Sequence, residues 1–319
     1  MTARGLRFPS LATVGKMPAQ VFLVIALVVL LVIFAILAPN FVTVSNILNV
    51  LRHAAPLFML AAGQTLVILL AGIDLSQGSV VGFVSVMTGL AMMRLGIPAG
   101  ILVGLLTGAG CGLVSSLFIT KARVQPFIVS LGMLFSIYGI TFSITGGNRV
   151  PGLPESFFAV GGGMVGGIIP VPVIYFAVVA FALHQVLRRT PFGRNIYAIG
   201  GNQEAARLSG VGIDRTKIFA WVLNGFLVAL GAVILTSRVG SGEPWMGGFA
   251  MLLESIGATV IGGTSLFGGK GSMLGTLIGV LFIAFLVNGL TLMGMNQFVR
   301  EVALGVVIVI AIAVGSRGR

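Results

Sequence analysis

The segment GGTSLFGGKGS, residues 262–272, has the composition of a phosphate cradle: glycines that let backbone amides approach an anion, and one lysine to meet its charge. Set against the nucleotide-binding pattern G-x-x-x-x-G-K-[ST], Gly269 and Lys270 align. The first glycine, however, falls on Thr264, and the magnesium-binding hydroxyl falls on Gly271. A loop that fails at both ends of the pattern is not an ATP site. Other chemistry is equally sparse. Cys111 is the single cysteine, which excludes an intrachain disulfide and a cysteine-rich metal centre. His53 and His184 have no metal-ligand neighbours, so zinc and haem chemistry are not expected. Neither a paired-carboxylate motif nor a Ser/His/Asp spacing points to an enzyme. No cofactor is expected, and the glycines must serve some other purpose.

That purpose depends on the elements around them. Of the 319 residues 57% are hydrophobic and only 8% charged, where a soluble domain carries about a quarter charged. Apolar runs long enough to span a bilayer recur along the chain, without the alternation of barrel strands. The reading is an all-α, polytopic integral membrane protein of about ten transmembrane helices, with broken and re-entrant segments. The runs fall near residues 21–38, 47–71, 80–93, 99–119, 127–145, 173–187, 218–236, 252–262, 273–293 and 299–314. Arg52, His53 and Pro56 near the outer end of the second run suggest a break or an interfacial start, and the eighth is short enough to be a broken helix.

The formal charge of +12 invites a nucleic-acid partner, but its distribution excludes one. Basic residues lie between apolar runs, as cytoplasmic loops require: Arg4, Arg7 and Lys16; Lys121 and Arg123; the set from Arg188 to Lys217; Arg317 and Arg319. Both termini are therefore expected inside and residues 146–172 outside. The chain divides into a cytoplasmic N-terminal segment (1–20), a membrane domain (21–316) holding a long cytoplasmic loop (188–217), and a short tail (317–319).

A few polar residues interrupt the apolar runs. Asp74, within GIDLSQGS, precedes Ser76 and a new helix, so a capping role is preferred over a proton relay. Glu254 reads as a helix-start acid or a cavity-facing one. Gln64, Thr65, Asn224 and Asn288 are isolated; most such residues hydrogen-bond between helices and a minority line a pathway. GQTLVILLAGIDLSQGS and GATVIGGTSLFGGKGS share a G-x-T start, a Val-Ile pair and a glycine-rich break, which favours tight turns over ligand contact. In the long loop, GGNQEAARLSG carries a short amphipathic helix. Asn202 caps it after Gly201, and Glu204, Ala205, Ala206, Arg207 and Leu208 form it, with Leu208 and the alanines as its apolar face. Such a helix is a natural docking peg for a soluble partner.

Taken in order, GIDLSQGS, VQPFIVSLGML, GRNIYAIGGNQEAARLSGV and ATVIGGTSLFGGKGSMLGTLIGV resemble the permease subunit of an ABC-type sugar importer, of the ribose permease branch. The resemblance covers the chain from about residue 41 onward. It implies no ATP site of the chain's own, in keeping with the failed phosphate loop. It also implies a second permease subunit, identical or not, a cytoplasmic ABC ATPase subunit, and an extracytoplasmic sugar-binding protein, all at the bacterial inner membrane and its lipid. The branch transports ribose, other pentoses, galactose, rhamnose, inositol or a furanone-type autoinducer. Trp245 and the N-terminus depart from its pattern. The competing reading is an ion-coupled secondary carrier with Asp74 or Glu254 as its ion site, which would have no use for a docking helix. A membrane enzyme is disfavoured by the missing catalytic cluster.

Overall fold

The computed structural model describes residues 19–316. Arg4, Arg7, Lys16, Arg317 and Arg319 lie outside the described residues, as do most of segment 1–20 and the 317–319 tail. The chain is almost wholly helical. In order it forms α1 (Ala19–Leu37), α2 (Val44–Leu69), α3 (Gln77–Leu95), α4 (Ile97–Thr120) and α5 (Pro126–Thr145). After an excursion come a five-residue α6 (Phe158–Gly162), a minimal antiparallel pair β1 (Met164–Val165) and β2 (Ile169–Pro170), and α7 (Val171–Arg189). Then follow α8 (Pro191–Gly201), α9 (Gln203–Leu208), α10 (Ile213–Val239), α11 (Gly248–Ile261), α12 (Met273–Leu292) and α13 (Gln297–Ser316). Among the described residues, seven helices are long and apolar enough to cross a membrane: α2, α3, α4, α5, α7, α10 and α12. Apolar α11 has only 14 residues, about 21 Å of helix.

Helix ends follow local chemistry. Proline opens α4, α5, α7 and α8, where its missing amide is no loss. Thr43, Thr190, Asn202 and Ser272 cap α2, α8, α9 and α12 through side-chain oxygens. α2 is the central post, with α7, α10, α11 and α12 packed around it. The break expected near Arg52 and Pro56 is absent, for α2 runs unbroken through Pro56. α10 packs closely against this stretch: Gly231 lies so near that a Cβ there would stand 3.0 Å from the Pro56 carbonyl.

The tightest helix pair is α4 against α10. Gly104, Gly108 and Gly112 recur every fourth residue along α4; a Cβ on Gly104 would strike the Thr88 side chain of α3, and the other two face α10. Gly108 and Gly225 lie backbone to backbone, and Gly112 meets the Trp221 carbonyl. The polar segment 188–217 is more structured than its composition suggests. It holds α8 and α9, and Asp214, Arg215 and Lys217 already belong to the first turns of α10. One end of the bundle carries α8, α9 and the loop 262–272. The opposite end carries α6 and the β pair, where Ser237 of α10 accepts from the Gly161 amide (2.8 Å) and donates to the Phe157 carbonyl (2.6 Å).

Candidate functional site

Three of the predicted pathway or helix-break residues, Asp74, Ser76 and Asn224, meet inside the bundle. Asp74 is 4% exposed, yet its carboxylate is satisfied. Oδ1 accepts from the Ser76 amide (2.9 Å) and hydroxyl (2.6 Å), and Oδ2 accepts from Asn224 Nδ2 (2.6 Å). Gln77 Nε2 donates to Asn224 Oδ1 (2.8 Å) and to the Leu60 carbonyl (3.1 Å), while Ser255 donates to Gln77 Oε1 (2.9 Å). The chain Ser76–Asp74–Asn224–Gln77–Ser255 thus ties the α2–α3 break, α10 and α11 together. Gly63 makes room for it, since any side chain there would collide with Asn224 Oδ1. Asp74 is therefore not the cap itself. Ser76 occupies the N-cap position of α3, and Asp74, two residues earlier, braces Ser76 and reaches across to α10.

Thr65 and Thr276 share a hydrogen bond (2.6 Å) between α2 and α12, and Asn46 and Asn288 exchange reciprocal amide bonds (2.9 Å each). Both pairs behave as interhelical ties. Gln64 differs: it is fully buried, and neither of its amide atoms has a hydrogen-bond partner in the protein. Glu254 is not a helix-start acid. Gly247 and Gly248, both at positive φ, open α11 earlier than the apolar run suggested, so Glu254 falls in the second turn. Among the described residues no group of His, Cys, Asp and Glu is arranged to hold a metal ion.

The second place is the α8–α9 end. The Asn202 side chain accepts from the Ala205 amide (2.9 Å), so the predicted cap is present. Glu204 and Arg207 form a bidentate surface ion pair, and Leu208 is 77% exposed. The expectation that both alanines share one face with Leu208 fails: in six residues of helix Ala206 turns inward and is buried, whereas Ala205 stays exposed beside Leu208.

Beneath α9, three backbones meet with no side chains between them. A Cβ on Gly200 would strike the Leu69 carbonyl at the end of α2 and stand 2.5 Å from the Gly269 amide. Gly269 donates to that same carbonyl (3.0 Å), and Gly268, at φ +85, presses on Ala71 and the Gly200 carbonyl. Tyr197 of α8 donates its hydroxyl to the Gly271 carbonyl (2.9 Å), and burial raises its phenol above the ordinary value. The loop 262–272 is therefore a packing joint. Gly268 and Gly269 amides that would cradle a phosphate are already spent on the Ser265 and Leu69 carbonyls. The sequence reading missed the contact with α2 and α8, although the glycines at 200, 201, 268 and 269 were its signal.

Residues 46–312 match the family described as branched-chain amino acid transport system / permease component. Over 90% of both chains, the protein is 40% identical to the ribose import permease protein RbsC of Haemophilus influenzae and 42% identical to its namesake in Bacillus subtilis. It is 35% identical to the fructose import permease protein FrcC of Rhizobium meliloti, over 93% of this chain and 85% of that one. No solved structure matches. The chain belongs to this permease family and is a multi-pass membrane transport component.

Proposed function

We propose that this family member is the membrane-spanning subunit of an ATP-driven, binding-protein-dependent importer of a monosaccharide, ribose or a close relative. The likeness along nine-tenths of its length to permeases named for ribose carries the reading. The family description names branched-chain amino acids, but a zwitterion passing through the protein would need charges to meet it. The buried polar groups here are amides and hydroxyls, and the one fully enclosed carboxylate of the polar core, Asp74, is occupied by protein donors. Gln64, whose amide has no protein partner, is the pathway candidate best suited to a hydroxyl-rich solute.

In this reading α1, α11 and α13 bring the membrane segments to about ten, with α11 re-entrant. The α8–α9 end lies in the cytoplasm, as do both termini, and the membrane is the bacterial inner membrane. Residues 201–208 dock on a cytoplasmic ABC ATPase subunit, a second permease subunit completes the pathway, and a sugar-binding protein delivers from outside. The ion-coupled alternative is set aside, since the likeness to import permeases runs along nine-tenths of the chain and Asp74 serves as a brace.

The test uses the full transporter reconstituted with its ATPase and binding protein. Leu208→Asp places a charge where an apolar anchor should be desolvated, and should weaken ATPase docking on the order of tenfold or more. Binding-protein capture should survive, while sugar-stimulated ATP hydrolysis and uptake are lost. Glu204→Ala removes only an exposed rim pair and should be mild. Sugar uptake by the purified chain alone, driven by a proton or sodium gradient, would overturn the proposal.

A further inference from the structure

The loop 262–272 does more than pack. Ser265 N donates to the Lys270 carbonyl (2.8 Å), Gly268 N to the Ser265 carbonyl (2.9 Å), and Phe267 N to Ser265 Oγ (3.3 Å). These bonds close a compact turn, and Gly269 ties its base to the end of α2. At its tip stands Phe267, 83% exposed. In segments 188–217 and 262–272 the exposed large apolar side chains are Leu208 and Phe267 alone. They are presented by elements that share a backbone joint: Gly268 and Gly269 lie on Gly200 and Gly201, and Asn202, the next residue, caps α9.

A folded turn that holds a phenylalanine almost fully in the open loses the apolar burial that this side chain would otherwise contribute. From this placement we infer that Phe267 is a second anchor for the ATPase subunit, seated beside Leu208 on one continuous docking surface; the inference rests on the docking role proposed for α9. A lipid-facing role fits less well. The lipid-type surfaces of this protein are runs of many exposed apolar side chains, as along α1 from Val21 to Ile36, whereas Phe267, next to half-buried Leu266, is the one exposed large apolar side chain of a turn that also holds Ser265, Gly268, Gly269 and Lys270. Interfacial belts favour Trp and Tyr, whose polar atoms meet water, and Phe has none. Phenylalanine is among the aromatic residues enriched at protein–protein interfaces. Since the same turn holds the ends of α2 and α8 and leads from α11 into α12, a partner gripping Phe267 pulls on the broken-helix region as well as on α9.

The experiment measures binding of the cognate ATPase to the full-length permease in nanodiscs. Phe267→Ala should weaken binding about tenfold or more, and Phe267→Leu should recover most of it. Leu208→Asp serves as the reference for α9, and equal melting temperatures confirm that each variant is folded. A photoreactive benzoyl-phenylalanine at position 267 should crosslink to the ATPase. Unchanged affinity in Phe267→Ala while Leu208→Asp still weakens binding overturns the inference and leaves the α9 role standing, as does a crosslink to lipid alone. Failure of the parent permease to bind any ATPase sinks the docking role itself, and this inference with it.

Discussion

Asp74 shows how one side chain changes meaning once its partner is known. From sequence it is an acid before a helix; in the fold its two oxygens serve different masters, Ser76 on its own chain segment and Asn224 on α10. Replacing it with asparagine leaves one oxygen for Ser76 and turns an amide toward the Asn224 amide. Asn224 cannot simply flip, because its own oxygen is held by Gln77. Asp74→Asn should therefore destabilise the protein by roughly 1–3 kcal/mol, the cost of an unmade buried hydrogen bond. The exchange Asp74→Asn with Asn224→Asp should recover most of the loss, since the donor and acceptor merely change places. Thermal melts in detergent check both, and a double variant no better than the single one would show that the pair is not coupled. Uptake by Asp74→Asn should stay insensitive to proton and sodium gradients. The sequence exposed both residues as unusual but not as a pair, because 150 positions separate them and only the packing of α3 on α10 closes that distance.

At the scale of elements, the α4–α10 seam is where the fold is least forgiving. A Cβ on Gly108 would collide with the Gly225 carbonyl and stand 2.6 Å from the Ala229 Cβ, whereas one on Gly110 meets nothing within 4 Å. Gly110→Ala should be neutral or mildly stabilising, as helix interiors prefer alanine. Gly108→Leu should cost at least the 1–3 kcal/mol of ordinary overpacking, because backbone must yield instead of a flexible side chain. Folded yield and melting temperature of the two variants measure the contrast, and equal yields would mean that the helices do not meet here. Most helices were legible in sequence because lipid leaves an apolar chain few alternatives to a hydrogen-bonded helix. The spacing of Gly104, Gly108 and Gly112 was equally visible but named no partner. The errors have a common cause, which is that tertiary contact outweighed a local signal. Pro56 broke nothing because α10 packs against it, paired positive-φ glycines began α11 before its apolar run, and the short α9 turned Ala206 inward while Leu208 faced out.

For the whole molecule, the two ends of the bundle differ in charge and in construction, and the proposed orientation rests on that difference. Lys121 pairs with Asp214 at 3.3 Å, so the α4–α5 turn lies at the same end as α8, α9 and the start of α10. That end gathers Lys121, Arg123, Arg188, Arg189, Arg194, Arg207, Arg215, Lys217 and Lys270. Among the described residues the opposite end holds five, Arg52, Arg94, Arg149, Arg238 and Arg300. Translocation retains the basic end in the cytoplasm. In the proposed function the partners divide the same way, with the ATPase at the basic end and the sugar-binding protein at the other. In a Cys111→Ser background, a cysteine at Gln203 should react with a membrane-impermeant maleimide in inside-out vesicles and be protected in intact cells. A cysteine at Pro154 should do the reverse, and both positions are exposed, so burial does not confuse the result. Labelling of Gln203→Cys from outside intact cells would invert the molecule, and with it the faces assigned to the ATPase and to the sugar-binding protein.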